Sequence, residues 1–221
     1  MSVSLELKDG IALVTMDDGK ANAVSEALLD ALEPVLDEAE QKADAVILAG
    51  RPGKFCAGFD LKSLQGGDAE AAQRLIRRGG QMVHRLFSYP KPLVAAATGH
   101  GMALGALWLL ACDSRIGARG AYKFGLNETA IGMVLPTFGL ELARMRIPVS
   151  LHTEAVIQAR IYDPAGAIAA GYLDQVVDEV AVMDVAMEAA RELAKLPGGA
   201  YAQTKLNIRK PALDVIEKSL A

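Results

Sequence analysis

The stretch LVAAATGHGMALGALWLLACD, residues 93–113, joins an apolar run, a glycine-containing loop and a second apolar run. A short continuous apolar run of this kind predicts a strand buried on both faces, and residues 104–111 predict an apolar helix. Residues 45–64, AVILAGRPGKFCAGFDLKSL, repeat the organisation. Loops of this type can leave backbone N–H groups unpaired at a helix start, and two such donors on one oxygen would stabilise an oxyanion. Glycines that only permit tight turns would give the same pattern, and spacing alone favours that simpler interpretation.

The remainder of the chain alternates strand-like and helical patterns. Residues 4–7 and 11–16, separated by Asp9-Gly10, predict a hairpin, and residues 69–87 predict a helix. This alternation indicates an α/β fold with parallel strand pairing. From about residue 140 onward the pattern is mostly helical, with the clearest amphipathic segment at residues 182–196.

Composition excludes several classes of protein. The net charge of −4 argues against a nucleic-acid binder, and no apolar run reaches the length of a bilayer-spanning helix. Cys56 and Cys112 form no C-x-x-C pair, the three histidines show no metal-ligand spacing, and residues 1–10 do not resemble a secretory leader. We therefore expect a cytoplasmic protein that has neither a structural disulfide nor a metal ion and does not bind membranes.

One carboxylate stands out in YKFGLNETAIGMVLP, residues 122–136, where Glu128 lies among apolar and small residues. Two interpretations are open at this point. The sequence Asn-Glu-Thr suits the exposed first turn of a helix. If Glu128 is instead removed from water, its proton affinity rises, which suits a general acid/base.

Two motifs connect these loops to a known family. Residues 55–61, FCAGFDL, resemble the first oxyanion-hole motif of the enoyl-CoA hydratase/isomerase (crotonase) superfamily, and residues 98–105, TGHGMALG, resemble its second. The text GLNET at residues 125–129 and GYLDQVV at residues 171–177 is most similar to 3-enoyl to 2-enoyl-CoA isomerases. The resemblance implies a crotonase (ClpP-like) spiral of ββα units with a helical C-terminal region. It places the spiral core at residues 1–195 and a short helical segment for cap or oligomerisation at residues 196–221.

The resemblance also implies roles for individual residues. The oxyanion donors would be the N–H groups of Phe59 and Leu104, and Glu128 would be the catalytic acid/base. Most members carry glycine where this chain has Leu104, so its bulk could narrow the cleft. Contacts to coenzyme A or the acyl chain fall on Ala57, Asp60, Leu61, Gly105, Leu107 and Pro136.

The reaction class depends on how many carboxylates the site holds. Two-glutamate hydratases of this family carry their second glutamate at the position of Leu107, whereas shifting a double bond needs one base. The resemblance thus favours an isomerase acting on an acyl-CoA thioester, which is the substrate, with no separate cofactor. It also implies a homotrimer or a dimer of trimers. Hydration with Glu141 as a second carboxylate and a catalytically idle acyl-CoA-binding member remain alternatives.

Overall fold

A computed structural model describes residues 2–221 as two β-sheets surrounded by helices. The strands are β1 (Ser2–Lys8), β2 (Ile11–Asp17), β3 (Ala45–Ala49), β4 (Gly53–Cys56), β5 (Leu93–Ala97), β6 (Gly99–Met102), β7 (Ser114–Ala118), β8 (Phe124–Gly125) and β9 (Gln175–Val177). The helices are α1 (Glu26–Lys42), α2 (Leu61–Gln65), α3 (Ala69–Ser88), α4 (Leu104–Ala111), α5 (Thr137–Arg146), α6 (Pro164–Ala169), α7 (Val182–Ala194) and α8 (Gly198–Leu220). The larger sheet has the strand order β1-β2-β3-β5-β7-β9, and the smaller has the order β4-β6-β8.

The predicted hairpin is formed by β1 and β2. They pair antiparallel with Lys8 opposite Ile11, which leaves a two-residue turn. Both turn residues have positive φ, 53° at Asp9 and 77° at Gly10, as a turn that matches the twist of a hairpin requires. All other strand pairs of both sheets in the described residues are parallel, which confirms the predicted α/β class.

The middle of the chain repeats one ββα unit three times. In each unit the first strand joins the larger sheet, the second joins the smaller sheet, and a helix follows. The units begin at β3, β5 and β7, and the third inserts a short 3-10 turn, Thr129–Ile131, before α5. This arrangement is the expected spiral.

The strands of the smaller sheet and β9 were not predicted. β4 and β6 were interpreted as glycine loops, because strands of four residues that contain glycine show neither an apolar run nor alternation. β9 was assigned to a mostly helical region, yet its three residues pair with β7 at the edge of the larger sheet. The amphipathic helix expected to reach residue 196 ends at Ala194.

The C-terminal helix α8 packs against α3 and α5. Its buried residues include two cations, Lys205 and Arg209. The proposed boundary at residue 195 falls between α7 and α8 and stays a prediction. Among the helices formed by residues 2–221, none combines the length and apolarity that a membrane crossing needs.

Candidate active site

The candidate site lies where the three parallel strands of the smaller sheet end. β4 ends at Cys56, β6 at Met102 and β8 at Gly125, and the pairs Cys56–Gly101 and Met102–Gly125 hold these ends side by side. Because the carboxyl ends of parallel strands share one edge, the segments that follow them start close together. Phe59, Leu104 and Glu128 each follow within three residues of such an end.

The first loop presents the N–H group of Phe59. The two backbone bonds around it both involve Val24, which donates to the Gly58 carbonyl at 2.8 Å and accepts from the Asp60 N–H at 2.9 Å. This parallel bridge turns the intervening amide of Phe59 away, and within residues 2–221 it has no hydrogen-bond partner. Gly58 has a φ of 91°, which turns the chain at this point and which a residue with a β-carbon rarely adopts. The first loop therefore holds one free donor.

Asn22 holds the first loop in place through hydrogen bonds of its side chain. It is fully buried, and its Nδ2 donates to the carbonyls of Met16 at 2.9 Å and Phe55 at 3.2 Å. Its Oδ1 accepts from the Asp18 N–H at 2.9 Å. Its φ of 51° lies in the left-handed region that asparagine tolerates better than most residues. The pair Asn22-Ala23 resembles an early Asn-Ala motif of the crotonase superfamily, and no other feature of the sequence points to this residue.

The second loop presents the N–H group of Leu104. Ala103 donates to the Gly125 carbonyl at 2.9 Å, which ties the loop to the end of β8. Leu104 is the first residue of α4, so its N–H has no acceptor within the helix. Ala103 has φ 50° and ψ −123°, an unfavourable conformation for a residue with a side chain. Both donors thus follow a residue of positive φ.

The two loops pack directly on each other. A β-carbon built on Gly58 would lie 2.7 Å from the Ala103 Cβ and 3.3 Å from the Leu104 backbone nitrogen. A β-carbon on Gly105 would lie 2.2 Å from the Cys56 carbonyl oxygen. Gly105 therefore permits the close approach of the loops.

Behind the loops, the side chains of Phe59 and Leu104 both pack against Gly79 of α3. A β-carbon there would lie 2.4 Å from the Phe59 ring and 3.1 Å from the Leu104 Cδ2. The Leu104 side chain is buried, and the Phe59 ring is half-buried. Phe59 and Leu104 are therefore neighbours in space as well as in their place on the sheet edge.

Glu128 is buried, with 8% of its surface exposed. Its Oε2 has no hydrogen-bond partner among the described residues, and burial raises the pKa of the carboxyl to about 6. Its own backbone N–H offsets part of that increase. The exposed interpretation of Asn-Glu-Thr is therefore wrong for Glu128. A carboxyl whose pKa approaches neutrality suits proton transfer.

A buried tyrosine pair lies beside Glu128 and was not predicted. Tyr172 is fully buried, its hydroxyl has no hydrogen-bond partner among residues 2–221, and its ring centroid is 6.0 Å from that of Tyr162. Burial, then Tyr162 and Glu128, raise the pKa of the Tyr172 hydroxyl. The Tyr162 hydroxyl donates to Glu154 at 2.9 Å. Burial is therefore the main influence on the pKa of Glu128, and among the described residues no cation lowers it.

The other residues expected to bind ligand divide into two sets. Ala57 and Leu61 are exposed at the rim of the first loop, and Asp60 accepts the Lys62 N–H at 3.2 Å as the cap of α2. Leu107 is buried, and a β-carbon on Gly139 would lie 3.1 Å from it. Pro136 lies directly before α5 and lines a cavity of about 300 Å³. Both residues of the second set therefore lie next to α5.

Comparison with known proteins gives a consistent result across the chain. Residues 6–221 match the family model described as enoyl-CoA hydratase/isomerase. A solved enoyl-CoA hydratase/isomerase family protein from Pseudomonas syringae superposes with a TM-score of 0.96 at 41% identity, covering 99% of this chain and 94% of that one. A Mycobacterium tuberculosis protein superposes with a TM-score of 0.94 at 40% identity, covering 99% of this chain and 95% of that one; it is called an enoyl-CoA isomerase in one solved structure and a probable enoyl-CoA hydratase in another.

Curated relatives carry hydratase names. A probable enoyl-CoA hydratase of Mycobacterium avium is 34% identical over 206 residues, 90% of this chain and 78% of that protein. A probable enoyl-CoA hydratase of Bacillus subtilis is 36% identical over 138 residues, 60% of this chain and 52% of that protein. The similarity therefore extends over the loops and strands described above.

Proposed function

The chain belongs to the enoyl-CoA hydratase/isomerase family, and on that premise we propose that it is an isomerase that shifts the double bond of a 3-enoyl-CoA to the 2-position. The thioester carbonyl binds between the N–H groups of Phe59 and Leu104. Glu128 acts as the single acid/base.

The proposed reaction is a proton shuttle. The ionised Glu128 takes a proton from the α-carbon, and the electron pair of that C–H bond delocalises into a dienolate whose oxygen accepts from the two amides. The protonated Glu128 then returns the proton to the γ-carbon, and the double bond forms between the α- and β-carbons. One oxyanion donor contributes about 10²–10³ in rate, and general acid/base help about 10²–10⁴.

The number of carboxylates supports this proposal. Among residues 2–221, Glu128 has the only buried carboxylate oxygen without a hydrogen-bond partner. The position of the second glutamate in two-glutamate hydratases is taken here by Leu107, which is buried beside Gly139 of α5. Hydration needs a group that positions and activates water, whereas a double-bond shift is complete with one carboxylate.

Hydration is the second candidate, because the two curated relatives named above are called probable hydratases. A hydratase on this scaffold would need another carboxylate, for which Glu141 on α5 was the alternative from the sequence. Glu141 pairs with Arg144 one turn later on the same helix. Glu141 thus has an ion-pair partner on its own helix, whereas the Oε2 of Glu128 has no hydrogen-bond partner among the described residues.

Parallel assays of 3-enoyl-CoA isomerisation and 2-enoyl-CoA hydration test the proposal. We expect isomerisation to be the faster reaction and Glu128→Gln to slow it by about 10²–10⁴. Glu141→Gln is the matched control, since it makes the same chemical change on α5 and should leave isomerisation within about threefold. Faster hydration than isomerisation, or full isomerisation by Glu128→Gln, would contradict the proposal. Assembly as a homotrimer or a dimer of trimers and a cytoplasmic location stay predictions.

A further inference from the structure

A larger cavity, of about 670 Å³, lies at the far end of α4 from the Leu104 amide. Its wall includes Phe87 at the end of α3, Asp113 just after α4, and Arg146 at the end of α5. The eight residues of α4 span about 12 Å at 1.5 Å per residue, so the cavity and the oxyanion donors lie at opposite ends of one helix. The volume falls within the range of small-molecule sites, about 300–1,000 Å³.

Three cations converge on the wall of this cavity. Lys205 and Arg209 of α8 are buried, and both pair with Asp113, Arg209 at 2.7 Å. Arg146 is the third cation, and it has no carboxylate partner among the described residues; its guanidinium donates to the carbonyls of Leu110, at 2.9 Å, and Cys112. The cluster therefore contains one carboxylate for three positive charges.

Helix ends compensate part of this excess. Arg146 donates to carbonyls at the end of α4, and Arg209 donates to the Phe87 carbonyl, at 2.7 Å, near the end of α3. A helix C-terminus is equivalent to roughly half a negative charge. Arg146 also lies in the last turn of α5, so Asp113 and three helix ends leave a net positive charge of less than about one. Burial, with Arg115 and Arg209 nearby, lowers the pKa of Arg146 to about 10, as expected for a cation among like charges.

The remaining wall is apolar and open to solvent. Met145, Leu196 and Ile208 line the cavity and are 39%, 49% and 69% exposed. These side chains lie at the rim, and the cations lie deeper in the wall. The cavity therefore offers apolar contacts at its entrance and a positive charge inside. A ligand that fits both features carries one negative charge on an apolar body.

We propose that this cavity is a second binding site, separate from the catalytic one, for an amphiphilic monoanion such as a carboxylate on an alkyl chain of medium length. The carboxylate binds beside Arg146, and the alkyl chain packs on Leu196 and Ile208. The site does not depend on the proposed isomerase activity.

Calorimetric titration with decanoate and with uncharged decanamide tests the site, at pH 8 and fixed ionic strength. We expect decanoate to bind at least tenfold more tightly than decanamide. Ile208→Asp places a carboxylate at the rim, and Ile208→Asn is its matched control with nearly the same shape and no charge. The Asp variant should bind decanoate at least tenfold more weakly than the Asn variant, with decanamide binding equal in the two.

Three results would overturn the site. Equal affinity for decanoate and decanamide would remove the role of the positive charge. Equal decanoate binding by the Asp and Asn variants would place the ligand elsewhere, for example in the catalytic site. If wild type binds no decanoate and Ile208→Asp dissociates an assembly on native mass spectrometry, the surface is instead covered by a second copy of the chain. Both variants change an exposed side chain, so circular dichroism should show unchanged folding.

Discussion

The two loops that present the candidate oxyanion donors reach the same geometry by different means. In the first loop, Gly58 adopts a φ of 91°, and Phe59 follows it. In the second, Ala103 adopts a φ of 50° although it has a side chain, and Leu104 follows it. A glycine adopts such a conformation freely, whereas a non-glycine residue there costs about 1–3 kcal/mol.

Packing explains which loop can carry a side chain. At Gly58 a β-carbon would lie 2.7 Å from the Ala103 Cβ, so only one of the two facing positions has room for a methyl group. The second loop has that methyl, and the first loop leaves the space. Gly58 of the first loop is therefore required by the Ala103 methyl of the second, and the two loops form one packed unit.

Replacing Gly58 by Ala should have the largest effect on that unit. Alanine rarely adopts the positive φ of this position, and its methyl would clash with Ala103. The backbone should therefore shift, which moves the Phe59 amide away from its position as a donor. We expect kcat/KM to fall about 10²–10³-fold, the usual loss for one oxyanion donor. Steady-state kinetics on the favoured enoyl-CoA substrate measure it.

Gly19→Ala is the matched control for that substitution. Gly19 also has a positive φ, 73°, but a β-carbon there would meet no atom within 4 Å. Alanine there therefore adds the strain of a positive φ without the clash, and activity should stay within about threefold of wild type. Equal losses in the two variants would show that strain alone, without the contact between the loops, accounts for the result.

The pH dependence of activity separates Glu128 from the two loops, because the loops contribute backbone N–H groups that do not titrate. With the pKa of Glu128 near 6, kcat/KM should rise as the pH passes through about 6 and then level off, since the base must be ionised. An activity that is constant from pH 5 to 8 would contradict the assignment. Glu128→Gln should remove the rise from the residual activity.

The same shift predicts an effect on stability. The folded-state pKa of Glu128 lies above its ordinary value of 4.5, so protonation stabilises the fold below about pH 4.5, and this stabilisation is lost as the pH rises through about 6. The shift corresponds to about 2 kcal/mol. The free energy of unfolding of Glu128→Gln relative to wild type should therefore increase by about that amount between pH 4.5 and 8, measured by urea denaturation. A constant difference would contradict it.

The position of the candidate site could be predicted where local sequence determines the structure. The apolar runs at residues 45–49 and 93–97 defined the ends of two buried strands, and both strands form at those positions. Motif resemblance then placed Phe59 and Leu104 in the loops, where the structure leaves their amides free. Glu128 was open between two interpretations, because its burial depends on distant segments such as the one that contains Tyr172.

Features that depend on tertiary contact were not predictable. The smaller sheet consists of strands of two to four residues, too short for a periodic pattern, although it aligns all three segments of the site. The strained backbone of Ala103 could not be predicted, because an alanine at the start of a helix gives no sign of an unusual conformation. The cation cluster of α8 was also missed. Lysine and arginine usually lie on the surface, and the burial of Lys205 and Arg209 follows only from their bonds to carbonyls and to Asp113.

The smallest expected effect comes from replacing Ala103 by Gly, which relaxes the second loop instead of straining the first. Glycine removes a backbone strain of about 1–3 kcal/mol, and its greater freedom in the unfolded chain costs about 0.5–1 kcal/mol. The net expectation is a gain of about 1 kcal/mol in the free energy of unfolding, measured by urea denaturation. Activity should change by less than about threefold if the contacts of Gly105 and Gly125 still hold the Leu104 amide. A large loss of activity together with this gain would mean that the Ala103 methyl itself keeps the two loops in register, and the two loops would then differ in rigidity as well as in residue type.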